Sequence, residues 1–140
     1  MPTRTAEATW QGTLKEGSGS IKLGSGAFEG PFNFVSRFET GTATNPEELL
    51  GAAEAGCFTM ALNNRLFQNG FAPERIETTA HVKLDKTDAG TSIVGIHLVC
   101  QGTVPGISAE DFAAHAAETG NVCIISRAIA APITVEATLV

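Results

Sequence analysis

The segment NPEELLGAAEAGCFTMALNNRLFQNG, Asn45 to Gly70, constrains the fold more than any other part of the chain. Asn45 can cap a helix, Pro46 suits the first helical position, and Glu48 stands three residues after the cap. Glu47 and Glu48 also put negative charge at the positive end of the helix dipole. The matching stop signal is Asn69-Gly70. A helix between these signals is about 36 Å long at 1.5 Å per residue, so in a chain of 140 residues it is central. Leu49, Leu50, Ala53, Cys57, Met60 and Ala61 mark its apolar stripe. Ala52, Ala53, Ala55 and Gly56 are small enough to admit another helix closely, and a thiol, Cys57, sits in the middle.

The flanking segments read as strands and shorter helices. Residues 5–12 alternate loosely, and a short IKL strand follows inside a Gly/Ser-rich stretch. In PFNFVSRF, Phe32, Phe34 and Phe38 share one parity, which predicts a third strand with Arg37 on its other face or at its end. After the long helix, Ile76, Thr78, Ala80, Val82 and Leu84 alternate along one strand, TDAG turns, and residues 93–100 return. SAEDFAAHAAETG predicts a helix capped by Ser108 and stopped by Gly120. NVCIISRAIA predicts another helix from Asn121, and Ile133, Val135, Ala137 and Leu139 form one face of a closing strand. The order implies an α+β fold with mainly antiparallel sheets, as one domain over residues 1–140.

Nine Lys and Arg against fifteen Asp and Glu give a net charge of -6, which argues against a nucleic-acid surface. No apolar run reaches membrane-spanning length, and the first residues lack the apolar core of a signal peptide, so a cytoplasmic location is expected. Three cysteines, Cys57, Cys100 and Cys123, are an odd number, and free or catalytic thiols fit better than a disulfide framework. His81, His97 and His115 are scattered without metal-ligand spacing, so neither a metal nor any other cofactor is expected.

On residue pattern alone, Cys57 reads as a packed thiol and Cys100 as core. Cys123, two residues after the expected cap Asn121, falls in the first turn of a helix, where free backbone N–H groups favour a thiolate. Arg37 reads equally well as a solvent-facing charge. With Glu48 as the capping-box residue, Glu47 has less local work to do.

SRFETGTATNPEELLGAAEAGCFTMAL together with NVCIISRAI resembles the OsmC/Ohr family of thiol peroxidases, over nearly the whole chain. The SRFE segment before NPEEL is more similar to the osmotically inducible protein C group than to the Ohr group. The resemblance implies an OsmC-like fold in an intertwined homodimer with two active sites at the subunit interface. It makes Cys57 the peroxidatic cysteine and Cys123 the resolving one, with Arg37 and Glu47 as the activating pair. Ile124 and Ile125 depart from the family's usual Cys-Pro-Val.

The implied activity is reduction of organic hydroperoxides, and more weakly of hydrogen peroxide, to alcohols. The O–O bond needs a soft nucleophile, so a thiolate attacks and becomes a sulfenic acid. The second thiol closes a disulfide, which an external dithiol, a lipoylated protein among the candidates, must reopen. Arg37 would favour the thiolate and the charge on the leaving oxygen, held by a bidentate pair with Glu47. Phe32, Phe34, Phe58 and Phe67 are candidate walls of an apolar pocket. A non-catalytic ligand-binding or redox-sensing dimer on the same scaffold is the alternative. Glu47 and Cys57 are ten residues apart, about 15 Å along a helix. Either the helix bends near Gly51, or Glu47 serves the Cys57 of the other subunit.

Overall fold

A computed structural model describes residues 1–140, which divide into two compact units, Met1–Leu49 and Leu50–Val140. In the first unit, β1 (Ala6–Gln11), β2 (Ser18–Leu23) and β3 (Glu29–Phe32) form an antiparallel sheet in the order β1-β2-β3. The expected third strand stops at Phe32. Asn33 instead caps a short helix, α1 (Phe34–Phe38): its Oδ1 accepts the Ser36 N–H at 2.8 Å, and Ser36 Oγ accepts the Asn33 N–H at 3.0 Å. Phe34 and Phe38, read as one strand face, are also four residues apart. They meet on one side of this helix with ring centroids 5.1 Å apart.

The long helix, α2 (Pro46–Gln68), begins and ends where expected. Asn45 Oδ1 accepts the Glu48 N–H at 2.7 Å, while the Glu48 carboxylate accepts from the Thr44 hydroxyl at 2.8 Å. At the other end Gly70 takes φ 90°, and the Phe71 N–H turns back to the Leu66 carbonyl at 3.0 Å. Gly51 does not interrupt it.

The second unit holds α2 from Leu50 onward, then β4 (Arg75–Thr87), β5 (Gly90–Thr103), α3 (Ala109–Val122), a 3-10 turn at Ser126–Ala128, and β6 (Ile133–Leu139). Strand order is β4-β5-β6, with β4–β5 antiparallel and β5–β6 parallel, so this sheet is mixed. The alternations in β4 and β6 hold. Ala80, Leu98 and Val135 lie in register on the face that packs into the core, as do Val82, Ile96 and Ile133.

Phe58, Leu62 and Leu66 of α2 and Phe112 and Ala116 of α3 close that core and are fully buried. Each large side chain among them contributes roughly 1.5–3 kcal/mol by burial. The buried stripe of α2 is therefore Gly51, Glu54, Phe58, Leu62 and Leu66. The stripe expected through Ala53 and Met60 is exposed, Met60 at 77%. Small residues carry little hydrophobic signal, and the bulky ones decided the orientation.

The helix expected at NVCIISRAIA is absent, because α3 runs through Gly120 and ends at Val122. Gly120 is not a stop: a Cβ there would lie 2.6 Å from Val135 Cγ2, so its missing side chain lets α3 approach β6.

Candidate active site

Arg37 lies in the last turn of α1 rather than at a strand end. Local hydrogen bonds fix that turn. Ser36 Oγ donates to the Thr44 carbonyl at 2.7 Å, and the Asn45 amide donates to the Ser36 carbonyl at 2.9 Å. Arg37 Nε and Nη2 both donate to Glu47 Oε1, at 3.1 and 3.0 Å. The pair is thus forked onto one oxygen rather than bidentate, and Glu47 Oε2 is buried without a partner. The guanidinium also sits 5.2 Å from the Phe38 ring centroid. Trp10, Leu14, Phe32, Asn33, Phe34, Phe38 and Arg37 line a cleft of about 190 Å³, apolar except for Asn33 and Arg37. Phe32 and Phe34 are where a pocket would need them. Phe58 is core and Phe67 stands exposed on α2.

Cys57, half-buried on α2, and Cys123, buried at the end of α3, are in thiol–thiol contact although 66 residues apart in sequence. Both are free thiols. The Ile125 N–H points at Cys57 Sγ at 3.5 Å. Cys123 is the C-cap of α3, and its own N–H is bonded to the Thr119 carbonyl. This reverses the expected electrostatics, since carbonyls rather than N–H groups terminate the helix there. Burial pushes the Cys123 thiol up from its ordinary value of 9.0; hydrogen bonds from Ser126 partly offset this, and Cys57 and Glu54 push it further up. Cys100 is fully buried in the core on β5, and burial raises its thiol too, against a hydrogen bond with Thr78.

The residue missed in the sequence is Glu54. It is fully buried, three residues before Cys57 on the same helix. Its Oε1 accepts from the Ser126 hydroxyl and lies 3.6 Å from Cys123 Sγ. Ser126 Oγ is in turn 2.9 Å from Cys123 Sγ. A Glu on a long helix defaults to solvent, and the one signal for its burial was its place in the 51-54-58-62-66 spacing.

A sequence model of the family described as OsmC-like protein matches residues 39–138. The chain is 42% identical over 134 residues to peroxiredoxin OsmC of Escherichia coli (strain K12), covering 95% of this chain and 94% of that one. The chain belongs to the OsmC family. The peroxiredoxin OsmC of Shigella flexneri matches to the same degree. The OsmC fold recurs in an OsmC-like protein of unknown function from Vibrio cholerae, with TM-score 0.78 at 18% identity over 98% of this chain and 99% of the other. It recurs also in the organic hydroperoxide resistance protein OhrB of Bacillus subtilis, with TM-score 0.72 at 24% identity over 97% and 98%. This OsmC-family chain has Ile124 directly after Cys123, where the resemblance implies a proline. Cys123 nevertheless holds ψ 151°, the extended conformation a following proline would demand.

Proposed function

We propose that this protein is a Cys-based peroxidase that reduces organic hydroperoxides to alcohols. The observation that carries the reading is the contact of two free thiols, Cys57 and Cys123, brought together from positions 66 residues apart in a chain 42% identical to a peroxiredoxin. Cys57 is the nucleophile. It is the more accessible of the two, and the Ile125 N–H can stabilise its thiolate. It attacks the O–O bond, releases an alcohol and becomes a sulfenic acid. Cys123 condenses with it to a disulfide, and an external dithiol, such as a lipoyl group on a protein, reopens that bridge by exchange.

Arg37 and Glu47 are the activating pair. Because α2 is unbroken from Pro46 to Gln68, the ten residues from Glu47 to Cys57 rise about 15 Å along the axis. The pair therefore serves the Cys57 of a second copy, in a homodimer with two sites at the interface. The exposed small-residue face of α2, Ala52, Ala53 and Gly56 beside Met60, gives that copy a place to pack. The apolar cleft beside Arg37 favours organic over inorganic peroxide. No helix is long and apolar enough to cross a membrane.

The test is peroxide consumption with a dithiol reductant, followed by mass spectrometry of each cysteine. Cys57→Ser abolishes turnover, and Cys123→Ser allows one oxidation and then stalls with sulfenic acid on Cys57. An unmodified Cys57 beside an oxidised Cys100 would sink the assignment.

A further inference from the structure

We propose that Glu54 is the base of the resolving half-reaction: its carboxylate takes the proton of the Cys123 thiol as that sulfur closes on the Cys57 sulfenic acid, and returns it to the departing hydroxide. The proposal rests on the peroxidase reading above and assigns a residue that the activating pair leaves out.

The site has a feature that stability does not explain. Glu54 is fully buried in the middle of α2, and its hydrogen-bonding partners are a thiol and a hydroxyl, with no Lys or Arg among them. Its second oxygen, Oε2, is buried with no partner at all. A carboxyl group taken out of water without a cation is costly to the fold. An apolar residue of similar size would fill the same space without that cost. Groups of this kind need a reason to be there, and the reacting sulfur beside it supplies one.

The chemistry of Cys123 calls for such a group. Only a thiolate attacks, yet this thiol is buried, sits among the terminal carbonyls of α3, and faces a carboxylate. Each of these holds the proton on. The proton must therefore leave during the attack, to an acceptor already in place. Glu54 Oε1 lies 3.6 Å from the sulfur. A second route runs through Ser126, whose Oγ is 2.9 Å from the sulfur and whose hydroxyl donates to the same carboxylate oxygen.

In the step, the S–S bond forms as the Cys57 S–O bond and the Cys123 S–H bond break. The proton passes through Glu54 to hydroxide, giving water. The Cys57 sulfur is reduced and the Cys123 sulfur oxidised, so no outside reagent enters. The arrangement also sets an order of events. Cys123 stays protonated, and a poor competitor for peroxide, until Cys57 has reacted.

The test follows the two half-reactions separately after rapid mixing with one equivalent of an organic hydroperoxide. Sulfenic acid is trapped with a dione reagent, and the disulfide is followed by quenched mass spectrometry. Glu54→Gln keeps the volume and an acceptor for Ser126 but cannot carry a proton. In E54Q, disulfide closure slows about 100-fold or more, the usual scale of general-base assistance, and sulfenic acid accumulates on Cys57. Glu54→Asp, which keeps a carboxylate, recovers part of the rate. The wild-type protein alone gives an independent readout, because closure is slower in D2O. E54Q closing at the wild-type rate, or wild-type closure indifferent to D2O, overturns the role of Glu54 and leaves the peroxidase reading standing. A wild-type protein in which Cys57 is never oxidised overturns both.

Discussion

Replacing Arg37 by Ala separates the structural role of the Arg37–Glu47 pair from the activating role proposed for it. The two partners differ in exposure: the Glu47 side chain is 10% exposed and that of Arg37 is 41% exposed. Truncating Arg37 removes two charge-assisted hydrogen bonds, both from Glu47 Oε1. Glu47 Oε2 already lacks a partner, so the carboxylate is left with none. Breaking a fully buried pair costs about 3–5 kcal/mol, but the space left by a half-exposed Arg admits water to Oε1. The loss is therefore about 1–3 kcal/mol, the range for an unsatisfied buried group. At roughly 3–5 °C per kcal/mol for a domain of this size, Tm falls by about 3–15 °C. Glu47→Gln puts an amide donor where the orphan oxygen was and keeps an acceptor for Arg37, so it costs under about 1 kcal/mol. The double variant recovers most of the Arg37→Ala loss. The peroxide rate follows a different order: both single variants are slow, and Arg37→Lys is nearly as stable as wild type yet poorly active, because an ammonium lacks the planar fork. Thermal unfolding and stopped-flow oxidation by an organic hydroperoxide, on the same four variants, measure both orders. An unchanged Tm in Arg37→Ala, or a double variant no more stable than it, would refute the reasoning from burial.

Three further outcomes are expected. In the folded protein Cys100 and Cys123 hold their protons to higher pH than the ordinary thiol value of 9.0. Above that value the folded state binds more protons than the unfolded one, so stability is intact below it and falls as pH rises through the folded values; urea unfolding between pH 8 and 11, with Cys100→Ala reducing the slope, checks this. Gly102→Ala brings a Cβ within 2.5 Å of Phe112 Cζ and destabilises by about 1–3 kcal/mol in the same assay. In the proposed homodimer, Ala53→Arg on the exposed face of α2 is expected to shift the protein to monomer in sedimentation equilibrium and to remove peroxidase activity, because each Cys57 would lose the Arg37 proposed to reach it from the second copy.

Elements whose signals are local were legible in the sequence. Asn45-Pro46 and Asn69-Gly70 bound α2, and strict alternation marked β4 and β6. The errors arose where a pattern fits two periods or where a residue answers to a distant partner. Phe34 and Phe38 satisfy both the strand and the helix spacing, and the Asn33–Ser36 cap decides between them. Gly120 looks like a terminator but answers to Val135, which lies on another element. For the site, the cysteines and Arg37 and Glu47 were named by resemblance. The contact of Cys57 with Cys123 depends on the packing of α3 and could not be read from a spacing of 66. Glu54 escaped because its burial is set by Phe58 and Leu62 further along the helix, not by its own character.

That long separation between the two thiols ties redox chemistry to folding. Bridging them closes a loop of 66 residues, which by chain entropy makes the oxidised protein more stable than the reduced one by about 4 kcal/mol. Around a closed thermodynamic cycle, the native packing must favour the bridge by the same amount relative to the unfolded chain. For a two-electron couple that is a potential lower by about 90 mV. Any substitution that loosens the grip of α3 on the sheet would then make the disulfide easier to reduce, without touching either sulfur. The core of this protein acts as a voltage setting for its active site.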